Sequence, residues 1–310
     1  MTAVLAAVHA VLEEGLRGGV APALQAAVLR GGELVHESAH GALPAPGARP
    51  LATDDPFDVA SLTKVMATTT LVAPLVEDGT LALDAPVAVR LPGFGEVGKG
   101  AVTLRHLLAH ASGLDRDEVR VRAQPGTRRI YSNVGYEVLA ATVASAVGRP
   151  FDRWLSSTVL EPLGMTQTRL SGSAASGMVG PLGDLVGLAG ELQRPLLLPA
   201  DVAGVMDEVA FAGLAGVLPG FGYRNPNDWG LGPEIRGAKE PHWTGRTNDP
   251  ATFGHFGAGG GFVWVDPVAG MACACLTANP FGPWAQAAWP ALADAVLSDD
   301  GLRFAVSGPA

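Results

Sequence analysis

The amino-acid sequence predicts an α/β protein in which a sheet domain, built from both ends of the chain, is interrupted by a mainly helical insertion. Three observations predict this class. Runs with strand composition occur near the amino terminus, a long stretch with helical spacing of apolar residues follows, and strand-like runs return near the carboxyl terminus. We therefore expect residues 1–52 and 242–310 to form a discontinuous sheet domain, and residues 53–241 to form the helical domain.

The first elements follow from apolar periodicity and from the positions of glycine and proline. The helix that contains Ser61 carries Pro74 in its later turns, which predicts a kink, and Gly79 marks its end. In order, the expected elements are an amphipathic opening helix, strands at Ala23–Arg30 and Glu33–Ser38 joined by a turn at Gly31-Gly32, a loop over residues 43–51, and the Ser61 helix.

The remaining elements divide into a helical middle and a strand-rich end. The expected helices cover Thr103–His110, Val134–Val147 (closed by Gly148), Asp184–Gln193 and Pro199–Val209. Near the carboxyl terminus we expect strands at Gly261–Val265 and Met271–Ala278, a turn at Asp266-Pro267, and a closing helix at Trp284–Leu297.

The charge of the chain limits its partners. The formal net charge is −9 and the sequence has no cluster of basic residues, so electrostatics favour neither nucleic acid nor an anionic membrane. The opening helix lacks a positively charged start, and Glu13 and Glu14 stand where a signal peptide would have its cleavage site. No uninterrupted apolar segment reaches membrane-spanning length. These features predict a cytoplasmic protein with no membrane partner.

The two cysteines, Cys273 and Cys275, lie two residues apart in an apolar run that predicts a buried strand. Residues two apart on one strand rarely have disulfide geometry, and the sequence shows no further soft ligands near them. Packing in the core is therefore the expected role of both thiols. The sequence predicts no metal and no cofactor.

Ser61-Leu62-Thr63-Lys64 places a hydroxyl and an amine three residues apart at the start of an apolar helix. Such residues share a helix face, with Cβ atoms roughly 5–6 Å apart. A serine becomes a nucleophile when a neighbouring base takes its proton, and a lysine on the same face supplies that neighbour. Ser61 and Lys64 are therefore candidate catalytic residues. The structural alternative is a helix-capping serine beside a lysine that extends to solvent.

A second cluster, Tyr131-Ser132-Asn133, directly precedes a predicted helix. The pKa of tyrosine is ordinarily near 10. Beside the Lys64 ammonium and a helix amino terminus, we expect the pKa of Tyr131 to be lowered, so that it takes the proton of Ser61. Asn133 offers both a donor and an acceptor to a substrate ester or amide. The structural alternatives are a core tyrosine and an ordinary helix N-cap.

The third cluster is the glycine-rich run from Gly254 to Gly261. Glycines at a strand edge let backbone N–H groups approach a substrate oxygen closely. We expect the N–H groups of Ser61 and Ala258 to form an oxyanion hole, in which each donor stabilises the transition state by about 3–4 kcal/mol. The alternative is that these glycines serve only a turn or a bulge.

These three clusters, in this order, resemble those of the serine β-lactamase-like superfamily, which includes class C β-lactamases, D,D-peptidases and related type VIII esterase-like enzymes. The likeness covers the chain from about Gly18 to Leu297. Further stretches that carry it are Thr103–Leu114, Pro125–Tyr136, Glu161–Met165 and Trp264–Pro267.

The resemblance implies an α+β fold, with an antiparallel β-sheet flanked by amino- and carboxyl-terminal helices and a site between the sheet and the helical domain. It implies that Ser61 is the nucleophile that forms an acyl-enzyme and that Lys64 and Tyr131 activate it. His106 and His110 have the i, i+4 spacing of a metal pair, but the resemblance places them in a structural segment.

The same resemblance implies substrate contacts at Asn133 and at His255-Phe256-Gly257. Its β-lactamases and peptidases usually have Lys-Thr-Gly at the latter position, where the cation and the hydroxyl bind a substrate carboxylate. Phe256 donates no hydrogen bond, and an ordinary histidine such as His255 is only partly charged at neutral pH. Carboxylate recognition is weakened, which favours a neutral ester or amide over a penicillin.

Together with the expected cytoplasmic location, these residues favour a serine hydrolase that cleaves a small ester through an acyl-enzyme on Ser61. A β-lactamase, a D-amino-acid peptidase or amidase, and an acyltransferase are alternatives that use the same residues. The non-enzyme alternative is a degenerate member that binds a ligand without turnover. The expected partner is a small-molecule ester or amide, and the sequence indicates no particular oligomeric state.

Overall fold

A six-stranded antiparallel sheet forms the centre of the molecule, and its strands come from both ends of the chain. The computed structural model describes residues 3–18, 21–43, 49–95, 99–197 and 207–298. The strands in these ranges are β1 (Ala23–Arg30), β2 (Glu33–Gly41), β3 (Phe57–Asp58), β4 (Arg169–Leu170), β5 (Met178–Gly180), β6 (Gly216–Leu218), β7 (Gly222–Arg224), β8 (Glu234–Ile235), β9 (Phe253–Phe256), β10 (Phe262–Asp266) and β11 (Met271–Thr277).

The main sheet has the strand order β2-β1-β11-β10-β9-β8, and each neighbouring pair is antiparallel. β1 pairs with β11 in a register that places Leu24 opposite Thr277 and Arg30 opposite Met271. The antiparallel sheet that the family resemblance implied is therefore confirmed. β8 pairs with β9 at the sheet edge, although Glu234 lies within the segment that we assigned to the helical domain.

Helices cover the sheet and occupy much of the insertion. The α-helices in the described ranges are α1 (Ala3–Arg17), α2 (Thr70–Glu77), α3 (Leu104–Leu108), α4 (Asn133–Val147), α5 (Phe151–Leu155), α6 (Leu182–Gln193) and α7 (Pro283–Val296). Short 3-10 turns occur at Ala60–Leu62, Val87–Val89 and Pro92–Gly95, and π-helical segments occur at Lys64–Thr69 and Ser156–Leu160.

The side chains of β11 alternate between the two faces of the sheet, and those on both faces are buried. Ala272, Ala274 and Leu276 pack in the core that the sheet shares with α6. Cys273 and Cys275 point the other way, into the core that the sheet shares with α1 and α7. Both cysteines are buried free thiols, so the predicted packing role is confirmed.

The insertion has its own apolar core and is not helical throughout. Leu104 and Leu107 of α3 pack against Tyr136 and Leu139 of α4 in this core. The region also contains a three-stranded sheet in the order β3-β5-β4 and the two-stranded pair β6-β7. β3 ends at Asp58, two residues before the 3-10 turn that contains Ser61.

The helix expected at Ser61 is irregular at its start. The chain passes through the 3-10 turn at Ala60–Leu62 and the π-helical segment at Lys64–Thr69 before α2 begins. Pro74 lies inside α2, where its missing N–H removes one helical hydrogen bond. Gly79 follows the helix with a φ of 75°, in the left-handed region that glycine adopts readily.

Other predicted elements match closely. β1 has the predicted bounds, and α4 ends at a left-handed Gly148 with a φ of 66°. α7 begins and ends one residue before its predicted bounds. Most of the helix expected at Pro199–Val209 lies outside the described residues, and residues 207–209 are not helical. None of the described helices is both long enough and apolar enough to cross a membrane.

Candidate active site

Ser61 lies in the 3-10 turn that precedes the π-helical segment. Ala60, directly before it, has a φ of 46°, a left-handed conformation that residues other than glycine rarely adopt. Asp58 holds this turn because its Oδ1 accepts the backbone N–H of Ala60 at 2.8 Å. Backbone strain of this kind is often found at functional sites. The turn leaves Ser61 half-buried, in the wall of a cavity.

Lys64 is fully buried, and its amine has three hydrogen-bond partners. Its Nζ lies 3.2 Å from Ser61 Oγ, 2.8 Å from Asn133 Oδ1 and 2.9 Å from the carbonyl oxygen of Ala175. The Nζ is also 4.7 Å from the centre of the Tyr131 ring. The structure therefore brings Ser61, Lys64, Tyr131 and Asn133 together.

Burial lowers the pKa of Lys64 from its ordinary value of 10.5 to about 7. The Arg116 cation lowers this pKa further, whereas the Glu137 and Asp117 carboxylates oppose the change. An amine with a pKa of about 7 is neutral in a large fraction of molecules at neutral pH. Lys64 is therefore able to act as a base toward Ser61.

The pKa of Tyr131 is shifted in the opposite direction to the one expected from the sequence. Burial raises the pKa of Tyr131 well above its ordinary value of 10, although a hydrogen bond with Ser61 and the Arg116 charge both act to lower it. The expectation of a lowered pKa was wrong, because desolvation of the phenolate outweighs nearby positive charge. Tyr131 thus keeps its proton at neutral pH and is a hydrogen-bond donor.

Asn133 begins α4, and Ser132 is the N-cap of this helix. Ser132 Oγ accepts the backbone N–H of Gly135 at 3.0 Å, as the structural alternative for this pair predicted. The Asn133 side chain is engaged at both ends. Its Oδ1 accepts from Lys64, and its Nδ2 donates to Asp117 Oδ1 at 2.7 Å. Asn133 therefore positions the lysine, and a substrate contact through Nδ2 requires competition with Asp117.

The two histidines of the Thr103–His110 segment do not form a metal pair. His106 Nδ1 lies 2.8 Å from Thr103 Oγ1 in the cap of α3, and His110 lies beyond the end of that helix. In the described ranges no group of three or more His, Cys, Asp or Glu residues is arranged to hold a metal ion.

His110 instead supports the Tyr131 segment, a role that sequence reasoning missed. Its carbonyl oxygen accepts the N–H of Ile130 at 2.9 Å, and its Nδ1 accepts the N–H of Ser132 at 3.1 Å. Its ring centre is 4.4 Å from that of Tyr131. The φ of His110 is 53°, and this unusual conformation lets one residue hold the chain on both sides of the tyrosine.

The third cluster lies at the end of β9. His255 is buried, and burial lowers its pKa to about 3, so the ring is neutral rather than partly charged at neutral pH. Its Nδ1 lies 2.7 Å from the carbonyl oxygen of Phe256, which accepts the ring proton. Neither residue supplies a cation, so the expected loss of carboxylate recognition at this position has a structural basis.

Phe256 packs in the core and also lines the cavity. Its ring centre is 5.0 Å from that of Phe281 and 5.6 Å from those of Trp243 and Trp289. Phe256 therefore packs against the core that the sheet shares with α7 and also faces the cavity beside Ser61.

Gly257 brings the end of β9 against the turn that carries Ser61. A Cβ atom at Gly257 would lie 2.4 Å from the carbonyl oxygen of Val59 and 3.3 Å from the backbone nitrogen of Ser61. This close approach requires glycine. Ala258 follows, exposed in the wall of the cavity near Ser61. The oxyanion hole formed by the N–H groups of Ser61 and Ala258 stays a prediction.

The cavity beside Ser61 has a volume of about 310 Å³ and a largely apolar wall, to which Leu218, Trp229 and Phe281 contribute. Glu234 also lines it, but its carboxylate is engaged by Lys239, by His242 and by the Trp243 indole. Burial alone would raise the pKa of Glu234, and the charges of His242 and Lys239 instead hold it at about 2. Sequence reasoning found neither this network nor the aromatic wall.

Comparisons with known proteins show the family of this chain and its fold. The sequence model of the family described as "Beta-lactamase" matches residues 8–297. A curated relative from Escherichia coli K12, named "Putative D-alanyl-D-alanine carboxypeptidase", is 26% identical over a match that covers 74% of this chain and 70% of the relative.

Solved structures with the same fold include two hydrolases. The crystal structure of a protein called a beta-lactamase (Mb2281c) from Mycobacterium bovis is 43% identical, with a TM-score of 0.82 over 93% of this chain and 99% of that chain. EstCE1, described as a hydrolase with promiscuous acyltransferase activity, is 20% identical, with a TM-score of 0.79 over 95% of this chain and 98% of that chain.

Proposed function

The chain belongs to the beta-lactamase family, and we propose that it is a serine hydrolase that cleaves a small ester through an acyl-enzyme on Ser61. The observation that carries this proposal is the buried amine of Lys64, 3.2 Å from Ser61 Oγ and with a pKa of about 7. A base poised near the working pH is what activation of a serine hydroxyl requires.

In the proposed reaction, neutral Lys64 takes the proton of Ser61 as Oγ attacks the ester carbonyl. The carbonyl oxygen becomes an oxyanion, which the N–H groups of Ser61 and Ala258 stabilise. The C–O bond to the leaving alcohol then breaks, and the proton passes from Lys64, by way of the Tyr131 hydroxyl, to the departing oxygen. Water attacks the acyl-enzyme with the same groups in reverse and releases the acid.

The third cluster supports an ester over a β-lactam or a peptide. The wall that His255 and Phe256 form has no cation, because burial keeps the imidazole neutral and phenylalanine has no polar group. A substrate group that lies against this wall is therefore uncharged in our proposal. The apolar contacts of the cavity suit the chain of a small ester.

Hydrolysis of a β-lactam or of a D-alanyl peptide is a second candidate. The name of the 43% identical Mycobacterium bovis protein and the name of the Escherichia coli relative favour it. Acyl transfer differs from hydrolysis only in the acceptor that attacks the acyl-enzyme. The likeness to EstCE1 shows the fold alone at 20% identity and adds nothing to that choice. The cytoplasmic location expected from the sequence stays a prediction.

Intact-protein mass spectrometry tests these candidates. The protein is mixed with p-nitrophenyl butyrate and, separately, with a chromogenic cephalosporin, and Ser61→Ala is the control. We expect a butyryl adduct that maps to Ser61, turnover of the ester, and no adduct from the cephalosporin. An adduct or turnover with the cephalosporin supports the second candidate. If neither compound acylates the wild-type protein, a degenerate ligand-binding member is the better description.

A further inference from the structure

A second cavity adjoins the first and is lined by arginines. Its volume is about 400 Å³, and it shares Arg116, Tyr131 and Pro219 with the cavity beside Ser61. Four arginines line it and the one carboxylate in its wall is that of Asp115, within the described part of the chain. This concentration of positive charge stands out in a chain whose formal net charge is −9.

Two of these arginines already have internal partners. The Arg129 guanidinium points into the protein, where it donates to the carbonyl oxygens of Asn227 at 3.0 Å and Ala210 at 2.8 Å. Arg122 donates through Nε to Asp115. The Arg129 guanidinium is held inside the protein, and the charge of Arg122 is already paired with Asp115.

Arg116 and Arg128, unlike Arg129, present exposed guanidinium groups. Arg128 is exposed, and no residue that the structure describes forms a hydrogen bond or an ion pair with its guanidinium. Arg116 is 63% exposed, and its contact with the exposed Asp117 is long, at 3.5 Å. Exposed ion pairs contribute little, so a ligand displaces this one at small cost. Two guanidinium groups are thus available in one concave wall.

The cavity is also fixed in position relative to the catalytic groups. The carbonyl oxygen of Arg116 accepts the backbone N–H of Asn133 at 2.7 Å. This hydrogen bond joins the loop that carries Arg116 to the start of α4. The Arg116 charge reaches the buried amine, because it is the largest electrostatic contribution after burial to the lowered pKa of Lys64. Tyr131 lines both cavities, so the two cavities meet at this tyrosine.

We propose that this second cavity is a subsite for a carboxylate group of the substrate, bound by Arg116 and Arg128. A guanidinium binds a carboxylate with two parallel, charge-assisted hydrogen bonds, a geometry that a surface lysine lacks. This inference rests on the proposed function and specifies its substrate as an ester that is uncharged near Phe256 and anionic beyond Tyr131. In this proposal the substrate carboxylate is bound in the second cavity and not at the third cluster.

Matched ester pairs test the proposal. Mono-p-nitrophenyl glutarate and its methyl ester differ in one charge on the acyl side, and 4-acetoxybenzoate and its methyl ester differ in one charge on the leaving side. For one of the pairs we expect kcat/KM of wild type to be higher for the acid, by about tenfold at low ionic strength. Arg128→Gln should lower that acid-to-methyl-ester ratio about tenfold, the effect of one lost charge-assisted contact.

Arg153→Gln is the matched control, because Arg153 is exposed on α5 and lines neither cavity. The acid-to-methyl-ester ratio of kcat/KM in Arg153→Gln should equal that of wild type. In wild type, added salt should reduce the preference for the acid. The proposal is overturned if wild type prefers the methyl ester in both pairs, or if Arg128→Gln leaves both ratios unchanged.

A binding measurement separates this inference from the proposed function. If wild type hydrolyses neither p-nitrophenyl butyrate nor any of the four esters, the proposed function fails, and calorimetry with glutarate and the Ser61→Ala protein then decides on the subsite. Glutarate binding that weakens about tenfold when Arg128→Gln is added supports the subsite. Absence of binding, or an equal Kd in both proteins, overturns it.

Discussion

Lys64 Nζ lies 2.8 Å from Asn133 Oδ1, although 69 residues separate the two in the sequence. With the carbonyl oxygen of Ala175, the asparagine gives the amine two fixed acceptors. A neutral amine has two N–H groups and one lone pair. If both N–H groups donate to these acceptors, the lone pair is left to face Ser61 Oγ, 3.2 Å away. The hydrogen bonds thus orient the base as well as hold it.

This arrangement predicts a specific pH dependence. Because protonated Lys64 has no lone pair to accept the Ser61 proton, kcat/KM for p-nitrophenyl butyrate should rise with pH through an apparent pKa of about 7. Arg116→Gln removes a positive charge that lowers this pKa, so the rise should move to higher pH by a few tenths of a pH unit. A rise that stays in place in Arg116→Gln, or moves equally in Arg153→Gln, contradicts the assignment.

Loss of either activator should slow acylation strongly. Lys64→Ala removes the base, and Tyr131→Phe removes the hydroxyl that hydrogen-bonds with Ser61 and relays the proton. Each should reduce the rate of the p-nitrophenol burst by several orders of magnitude, near the upper range for general acid–base catalysis of about 10²–10⁴-fold or beyond it. Circular dichroism should show the wild-type fold. A burst at a near wild-type rate in either variant removes that residue from the mechanism.

Gly257 should tolerate no side chain. Gly257→Ala forces the new Cβ against the carbonyl oxygen of Val59 and pushes on the turn that carries Ser61. We expect a loss of about 1–3 kcal/mol in the free energy of unfolding and at least a tenfold loss of kcat. Gly183→Ala is the matched control, because Gly183 is exposed in α6 with open space around it. That variant should keep its activity and gain up to about 1 kcal/mol.

His110 should act through the position of Tyr131 rather than through chemistry. His110→Asn keeps a hydrogen-bond acceptor and a residue that tolerates the left-handed backbone, so it should retain most activity. His110→Phe keeps an aromatic ring, leaves the Ser132 N–H without its acceptor, and should lower kcat by about tenfold or more with little change in KM. If the two variants lose equal activity, the acceptor role is excluded.

Stability should fall in acid because of the buried His255. Its folded-state pKa of about 3 is below the ordinary value of 6.5, so the unfolded chain binds a proton that the folded protein excludes. Between these two values the free energy of unfolding should fall by up to about 1.4 kcal/mol per pH unit as pH decreases. Urea unfolding at pH 7.5 and pH 5 measures this. His255→Gln should reduce the slope without abolishing it, because burial also lowers the pKa of His110.

His36→Gln is the comparison variant for this experiment. The pKa of His36 is also lowered, by burial and by its neighbours His9 and His40, but the ring is only half-buried at the surface strand β2. Its removal should change the acid dependence less than removal of His255. An equal effect of the two substitutions contradicts the assignment to burial.

Elements bounded by glycine or proline were predictable because those residues restrict the backbone locally. The turn at Gly31 and Gly32 fixed the strand pair β1 and β2, and Gly148 fixed the end of α4. The irregular start of the Ser61 helix was not predictable in this way. It depends on contacts made on folding, in which the Ala60 N–H donates to Asp58 Oδ1 and the Met178 N–H donates to Thr63 Oγ1.

The sequence predicted which residues form the site better than it predicted their pKa values. The sequence spacing identified Ser61, Lys64, Tyr131 and Asn133, which the structure brings together. The direction of the Tyr131 pKa was missed, because burial is a property of the packed core and no local pattern reports it. The roles of His110 and Arg116 were missed for a related reason, since their partners come from segments that are distant in the sequence.

The contact between Lys64 and Ala175 has an evolutionary consequence. The amine binds the carbonyl oxygen of Ala175, which belongs to the peptide backbone and is present whatever side chain occupies the position. Point mutation can delete the amide of Asn133, but it cannot delete this acceptor. Substitutions in the segment around Ala175 therefore preserve this hydrogen bond as long as they preserve the path of the backbone. Substitutions there can repack the core of the insertion while the base stays anchored.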